Sequence, residues 1–236
     1  MYTNGLHGSL KVKDGVRCVK YKIDFKKLYP HYFDPEGLLV FCGGQGSGKT
    51  ISAVQYVKKV LQEYPRCLLV SNVEINDLPY SNNYFMYDGI DCLKNMENGY
   101  DGIIYFIDEI HLEFNSLESK NIDIDIMTEV SQQRKQRKHI VGSSQVYGRL
   151  AKPFREQIKN AVLCSNYFGV LQKNMLIDGT KTTEENGKLV TDKVKTFWYF
   201  HTPELYKCYD TYAKMKRYRK EWNGRKKIVD LNGGFF

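Results

Sequence analysis

No apolar run in this sequence approaches the roughly 20 residues needed to cross a bilayer, and the opening Met1-Tyr-Thr-Asn-Gly-Leu-His7 has no charged stretch followed by a hydrophobic one. Neither a membrane-spanning helix nor a secretory leader is expected, and the chain reads as a protein of the cytoplasm that is not itself anchored. Paired cysteines are missing too. The six cysteines (Cys18, Cys42, Cys67, Cys92, Cys164, Cys208) are scattered, without a Cys-x-x-Cys pair or a histidine at zinc-finger spacing. That argues against both a disulfide framework and a structural zinc site and leaves buried thiols as the reading. No internal repeat or low-complexity tract is evident.

What remains is the composition of a folded globular protein. Hydrophobic residues make up 42% and charged residues 26%, enough for a packed interior. A length of 236 residues suits one α/β domain with some decoration. Acids are in deficit: the formal net charge is +8. The excess is local, because residues 214–227 carry eight basic side chains against the single acid Glu221. With Tyr218 and Trp222 between the charges, this tail suits a polyphosphate partner, cations neutralising phosphates and rings stacking on bases. The plainer reading is a solvated end that aids solubility.

Three stretches differ in texture. Residues 1–36 are polar and read as an accessory β-hairpin, with Leu10, Val12, Val16 and Cys18 alternating about Lys13-Asp14-Gly15. Residues 37–166 alternate short apolar runs with helical patterns, the rhythm of parallel strands joined by crossover helices. Strands are expected at 38–42, 67–71, 103–107, 140–144 and 161–164, each nearly continuous in apolar character because both faces are covered. Helices fit 49–64, stopped by Pro65, and 122–138, where Ile122, Ile126 and Val130 recur every four residues. Residues 167–236 form an extension with a β-hairpin about Glu184-Glu-Asn-Gly-Lys188, a segment at 196–201, and the basic tail.

Gly43-Gly44-Gln45-Gly46-Ser47-Gly48-Lys49-Thr50 matches G-x-x-x-x-G-K-[ST], the Walker A spacing, between an apolar strand and a helix that continues with Ile51. Glycines let the backbone curl so that successive N–H groups face phosphate oxygens, while the helix presents its positive end. Lys49 is then placed to reach the β- and γ-phosphates of ATP, and the Thr50 hydroxyl to hold Mg2+. Further on, Ile103-Ile-Tyr-Phe-Ile-Asp-Glu-Ile110 ends an apolar strand in adjacent acids, with Asp108 fifty-eight residues beyond Thr50, a Walker B pattern. Such a pair is costly without a cationic partner. Asp108 is expected to hold magnesium, and Glu109 to accept a proton from, or orient, the attacking water.

A third strand, His139-Ile-Val-Gly-Ser-Ser-Gln145, ends in Gln145, a candidate sensor of the γ-phosphate, in a role Ser144 could share. Before it, Arg134-Lys-Gln-Arg-Lys-His139 gathers cations at an expected helix end, where they offset the helix dipole. One of these arginines could equally serve as a finger toward a neighbour's phosphates, and periodicity does not choose between Arg134 and Arg137.

In this order the four elements resemble the FtsK-HerA branch of P-loop motors. Within it they resemble the DNA-packaging ATPases of membrane-containing viruses and the Zot-like assembly ATPases of filamentous phages. The resemblance rests on the glycine loop, Asp108-Glu109, Gln145, and Arg134-Lys135 starting eleven residues before that glutamine. It extends weakly to Tyr209-Asp210-Thr211. It implies an ASCE/RecA-like parallel sheet flanked by helices, with small β-rich additions at both ends. It ranks Arg134 first as the finger, with Arg137 or Arg155 second. It further implies a homo-oligomeric ring, a hexamer, that moves DNA, a double-stranded genome, through a central channel in the host cytoplasm, with capsid or membrane-vertex proteins as further partners. Ending at Phe236 without a membrane span, the chain is expected to be a packaging motor rather than a Zot-like extrusion factor. A small-molecule P-loop kinase is the reading from another class, but the strand-ending Asp-Glu and Gln145 are not expected of one.

Overall fold

The computed structural model describes residues 11–35, 37–78, 83–115, 124–185 and 188–209. The basic stretch 214–227 and Asp210-Thr211 lie outside the described residues. The strands are β1 (Leu38–Cys42), β2 (Leu68–Ser71), β3 (Tyr84–Met86), β4 (Ile103–Ile107), β5 (Lys138–Ser144), β6 (Ile158–Tyr167), β7 (Leu171–Asp178), β8 (Thr183–Glu185), β9 (Lys188–Val190) and β10 (Lys193–Phe200). The helices are α1 (Val12–Leu28), α2 (Lys49–Glu63), α3 (Cys92–Asn95), α4 (Ile124–Gln132), α5 (Lys152–Arg155) and α6 (Pro203–Lys207).

Eight strands form one sheet in the order β10-β7-β6-β1-β5-β4-β2-β3, and β8 pairs with β9 as the expected hairpin. From β6 to β3 all neighbours are parallel. Every residue of β1, β4 and β5 is buried, because both faces of these apolar runs are covered. Side chains alternate between two cores. Leu39, Val141 and Phe106 stand in one cross-strand row facing α2 residues Ala53, Val54 and Val57, whereas Val40, Tyr105 and Ile140 face Ile126 and Val130 of α4. The strand β5 therefore sits between the strand that feeds the glycine loop and the strand that ends in Asp108-Glu109. This is the parallel, helix-flanked arrangement expected from the sequence.

Three local expectations are corrected. Positions 12–28 form a helix, not a hairpin. Val12, Val16, Val19 and Ile23 recur at three- and four-residue spacing, which a helix gathers on one face, and all four remain exposed. Among the described residues the β-rich addition lies on the C-terminal side. The second helix ends at Gln132 rather than near Lys138. The chain then turns, with Arg137 at φ 54° and its N–H on the Arg134 carbonyl, so that Lys138 can begin β5 buried, 3.0 Å from Glu129. Finally, β6 runs on to Tyr167 and pairs with β7 over eight positions, so the extension that begins at 167 continues the core sheet. The turn between them places Phe168 and Gly169 at φ 56° and 75°, with the Val170 N–H on the Tyr167 carbonyl at 3.2 Å.

Candidate active site

The glycine loop leaves the buried end of β1 and enters α2 through Gly48 at φ 78°, a left-handed conformation that glycine adopts without penalty. No side chain caps α2, so its first N–H groups face the loop's concavity. Gly43 admits no side chain: a Cβ there would lie 2.9 Å from the Cys164 carbonyl. Ser47 Oγ is buried without a hydrogen-bond partner, an orphaned donor that a phosphate oxygen would satisfy.

The acidic pair lies beside this loop. Thr50 Oγ1 donates to Asp108 Oδ1 at 3.0 Å, and Lys49 Nζ is 3.1 Å from Glu109 Oε1. A hydroxyl and a carboxylate oxygen meeting next to a phosphate cradle form a hard-donor set suited to magnesium, which needs few protein ligands. Burial pushes the Asp108 carboxyl above the usual carboxylate range; Ser143 opposes this by hydrogen bonding and Glu109 adds to it by repulsion. Such a carboxylate is one whose charge a divalent cation would offset. Among the described residues no group of three or more His, Cys, Asp and Glu side chains could hold a metal by itself.

Several positioning residues escaped sequence reasoning. Asn72, just past β2, clamps the Asp108 backbone from both sides: its Oδ1 accepts the Asp108 N–H at 2.8 Å and its Nδ2 donates to the Asp108 carbonyl at 3.0 Å. Ser143 Oγ donates to Asp108 Oδ1 and accepts the Glu109 N–H at 3.0 Å. The strand's alternation thus gives Ser143, not Ser144, to the acidic pair; Ser144 Oγ turns to the Val146 carbonyl. Glu109 itself has φ 54°, a strained conformation worth about 1–2 kcal/mol for a residue with a Cβ. The strain carries its carboxylate back toward the lysine. His111 Nδ1 is 3.2 Å from Glu109 Oε2; burial lowers the imidazole pKa, with Glu109 opposing. Its only sequence signal is its place two residues after Glu109.

Gln145 closes β5 on the same edge and is exposed, its Oε1 3.4 Å from Arg149 Nη1. The other arginines lie elsewhere. Arg134 is exposed near Gly37 at the opposite end of β1, about 17 Å from the loop for a five-residue strand. It does not join the site of its own chain. Arg137 lies between the rings of Tyr32 and Tyr100, 4.5 Å from each centroid, and donates to Tyr32 Oη at 3.1 Å. That side chain is engaged within its own fold. Arg155 is half-buried on α5.

A glycine loop between a buried strand and a helix, facing an acidic pair across one inserted strand, defines the P-loop NTPase fold. No family model and no curated protein matches the chain. Among solved structures it is similar to the N-terminal domain of zonular occludens toxin from Neisseria meningitidis, with a TM-score of 0.53 and 14% identity over 74% of this chain and 98% of that one. It is also similar to the genome packaging NTPase B204 of Sulfolobus turreted icosahedral virus 2 (TM-score 0.47, 14% identity, 66% and 96% of the two chains). A third is the flagellar accessory protein FlaH of Methanocaldococcus jannaschii (TM-score 0.43, 13% identity, 76% and 95%). The first likeness is one of fold, and it agrees with the P-loop ATPase architecture that the sequence resemblance implied. Among the described residues no helix is long and apolar enough to cross a membrane.

Proposed function

We propose that this chain is a magnesium-dependent ATPase that translocates DNA as a ring of identical subunits, packaging a viral genome. The observation that carries the ATPase reading is the cluster Lys49, Thr50, Asp108 and Glu109, joined at 3.0 and 3.1 Å from two distant parts of the chain. Loop N–H groups and the α2 N-terminus bind the triphosphate, and Lys49 turns from Glu109 to the β- and γ-phosphates. Thr50 and Asp108 are the residues that would hold magnesium, whose chemistry is to neutralise charge on the phosphates. Glu109 accepts the proton of the attacking water, kept in place by the Ser143 hydrogen bond to its N–H. Gln145, at the end of the strand between the two motifs, senses the γ-phosphate.

DNA translocation is supported by the basic tail with its two aromatics and by the Arg134-Lys135 and Gln145 spacing shared with the packaging branch. Arg134, at the far end of the sheet from its own loop, would serve a neighbour's site. The test measures ATP hydrolysis with and without double-stranded DNA, alongside particle mass. Stimulation by DNA in a ring-sized species is expected, and hydrolysis by a monomer indifferent to DNA would overturn the motor reading.

A further inference from the structure

Gln172 lies on β7, in the C-terminal extension, yet its side chain is wholly buried against the glycine loop. Nε2 donates to the Ser47 carbonyl at 3.0 Å and to Asn174 Oδ1 at 2.9 Å. Oε1 accepts from Asn166 Nδ2 and lies within reach of His201 Nε2, each at 3.1 Å. Both donors of the amide and one acceptor position are filled, and only in this orientation, since the reversed amide would set Oε1 against the Ser47 carbonyl. The contact is close as well as polar: a Cβ on Gly48 would stand 2.1 Å from Gln172 Oε1. One turn into α2, Ser52 Oγ lies 2.9 Å from Tyr199 Oη and 3.3 Å from Asn174 Oδ1. Gln172 and Tyr199 are direct partners across β7 and β10.

The peptide joining Ser47 to Gly48 is trans, so its carbonyl and N–H point in opposite directions. Holding the Ser47 carbonyl outward on Gln172 therefore holds the Gly48 N–H inward, toward the phosphate cradle. We propose that Gln172, supported by Asn174, Tyr199 and His201, is a latch by which the extension keeps the phosphate loop in its nucleotide-binding form. Gln172 is a positioning residue and touches no reacting atom. The inference rests on the nucleotide-binding reading of the loop.

The test uses the full chain and titrates N-methylanthraniloyl-ATP with magnesium. Gln172→Glu keeps the shape, and as a carboxylate it donates nothing and sets charge against the Ser47 carbonyl, so binding should weaken about tenfold; His201→Ala, which adds no charge near the loop, separates loss of the latch from repulsion of the nucleotide. At saturating ATP, kcat should stay within about twofold, because loop geometry is restored once nucleotide is bound. Hydrogen exchange at loop amides 43–50 should quicken. His201→Ala, at a half-buried position, removes one outer support and should weaken binding about threefold; it decides the matter if Gln172→Glu fails to fold. Ile177→Ala, in the same strand and fully buried, should lower Tm but leave affinity and loop exchange unchanged.

The latch is overturned if Gln172→Glu, or failing that His201→Ala, binds nucleotide like the wild type, or if Ile177→Ala weakens binding equally. The nucleotide reading has its own control. If the wild type binds no nucleotide, or Lys49→Ala binds it as well as the wild type, that reading falls and the latch with it. A wild-type affinity lost in Lys49→Ala but kept in Gln172→Glu removes the latch alone.

Discussion

Replacing Glu109 with glutamine separates catalysis from binding, because the same carboxylate serves one and competes with the other. Lys49 Nζ and Glu109 Oε1 are 3.1 Å apart, with side chains only 10% and 15% exposed. At an effective dielectric near 20, unit charges at that separation attract by about 5 kcal/mol, and desolvation offsets much of this. An incoming triphosphate must draw Lys49 out of that pair. The Glu109→Gln variant would keep the shape and the Ser143 contact to the backbone N–H but not the charge, so Lys49 becomes easier to recruit. Affinity for ATP with magnesium should rise, by roughly three- to tenfold if about 1 kcal/mol of the residual pairing is released. Turnover should fall about 10²- to 10⁴-fold through loss of the proton acceptor. Phosphate release at saturating ATP reads the second quantity, and titration with a non-hydrolysable analogue reads the first. Unchanged turnover would remove Glu109 from the chemistry; weaker binding would refute the competition for Lys49.

Two further outcomes follow from the geometry. Arg134→Ala should lower turnover by about three orders of magnitude or more with little change in ATP affinity, and mixing it with Glu109→Gln subunits should restore activity at interfaces that combine intact Glu109 with intact Arg134; an active ring of Arg134→Ala alone would shift the finger to Arg155. His139 is fully buried, its Nδ1–H on the Gly37 carbonyl and its Nε2 accepting from Tyr56 at 2.9 Å, and burial lowers its pKa to about 4, with the Gly37 contact opposing. The folded state then binds fewer protons than the unfolded one between pH 6.5 and 4, so stability present above 6.5 should be lost on acidification, by roughly 3 kcal/mol at pH 4. Urea midpoints across that range check this, and an equal pH slope in His139→Gln would show that another group is responsible.

Local chemistry was legible in the sequence. The loop Gly43 to Thr50 declares itself because phosphate cradling needs glycines, a lysine and a hydroxyl within eight consecutive residues. The apolar runs before Gly43 and Asp108 declare themselves because a strand covered on both faces has no polar side to spare. The first segment carries two patterns at once, because Leu10, Val12, Val16 and Cys18 fit a period of two, while Val12, Val16, Val19 and Ile23 fit the helical spacing that the chain adopts. Spacing within one segment does not choose between such patterns when no core presses on either. Tertiary structure alone decided what meets what. The insertion of β5 between β1 and β4 brings Ser143, rather than its neighbour Ser144, to Asp108. The turn after Gln132 separates Arg134 from Arg137, one exposed and the other held between two tyrosines. The amide of Gln172 reaches the Ser47 carbonyl across 125 residues of chain. No pattern in the chain announces these contacts, because each depends on strand order and pairing register, which are set by the packing of the whole sheet rather than by the residues on either side.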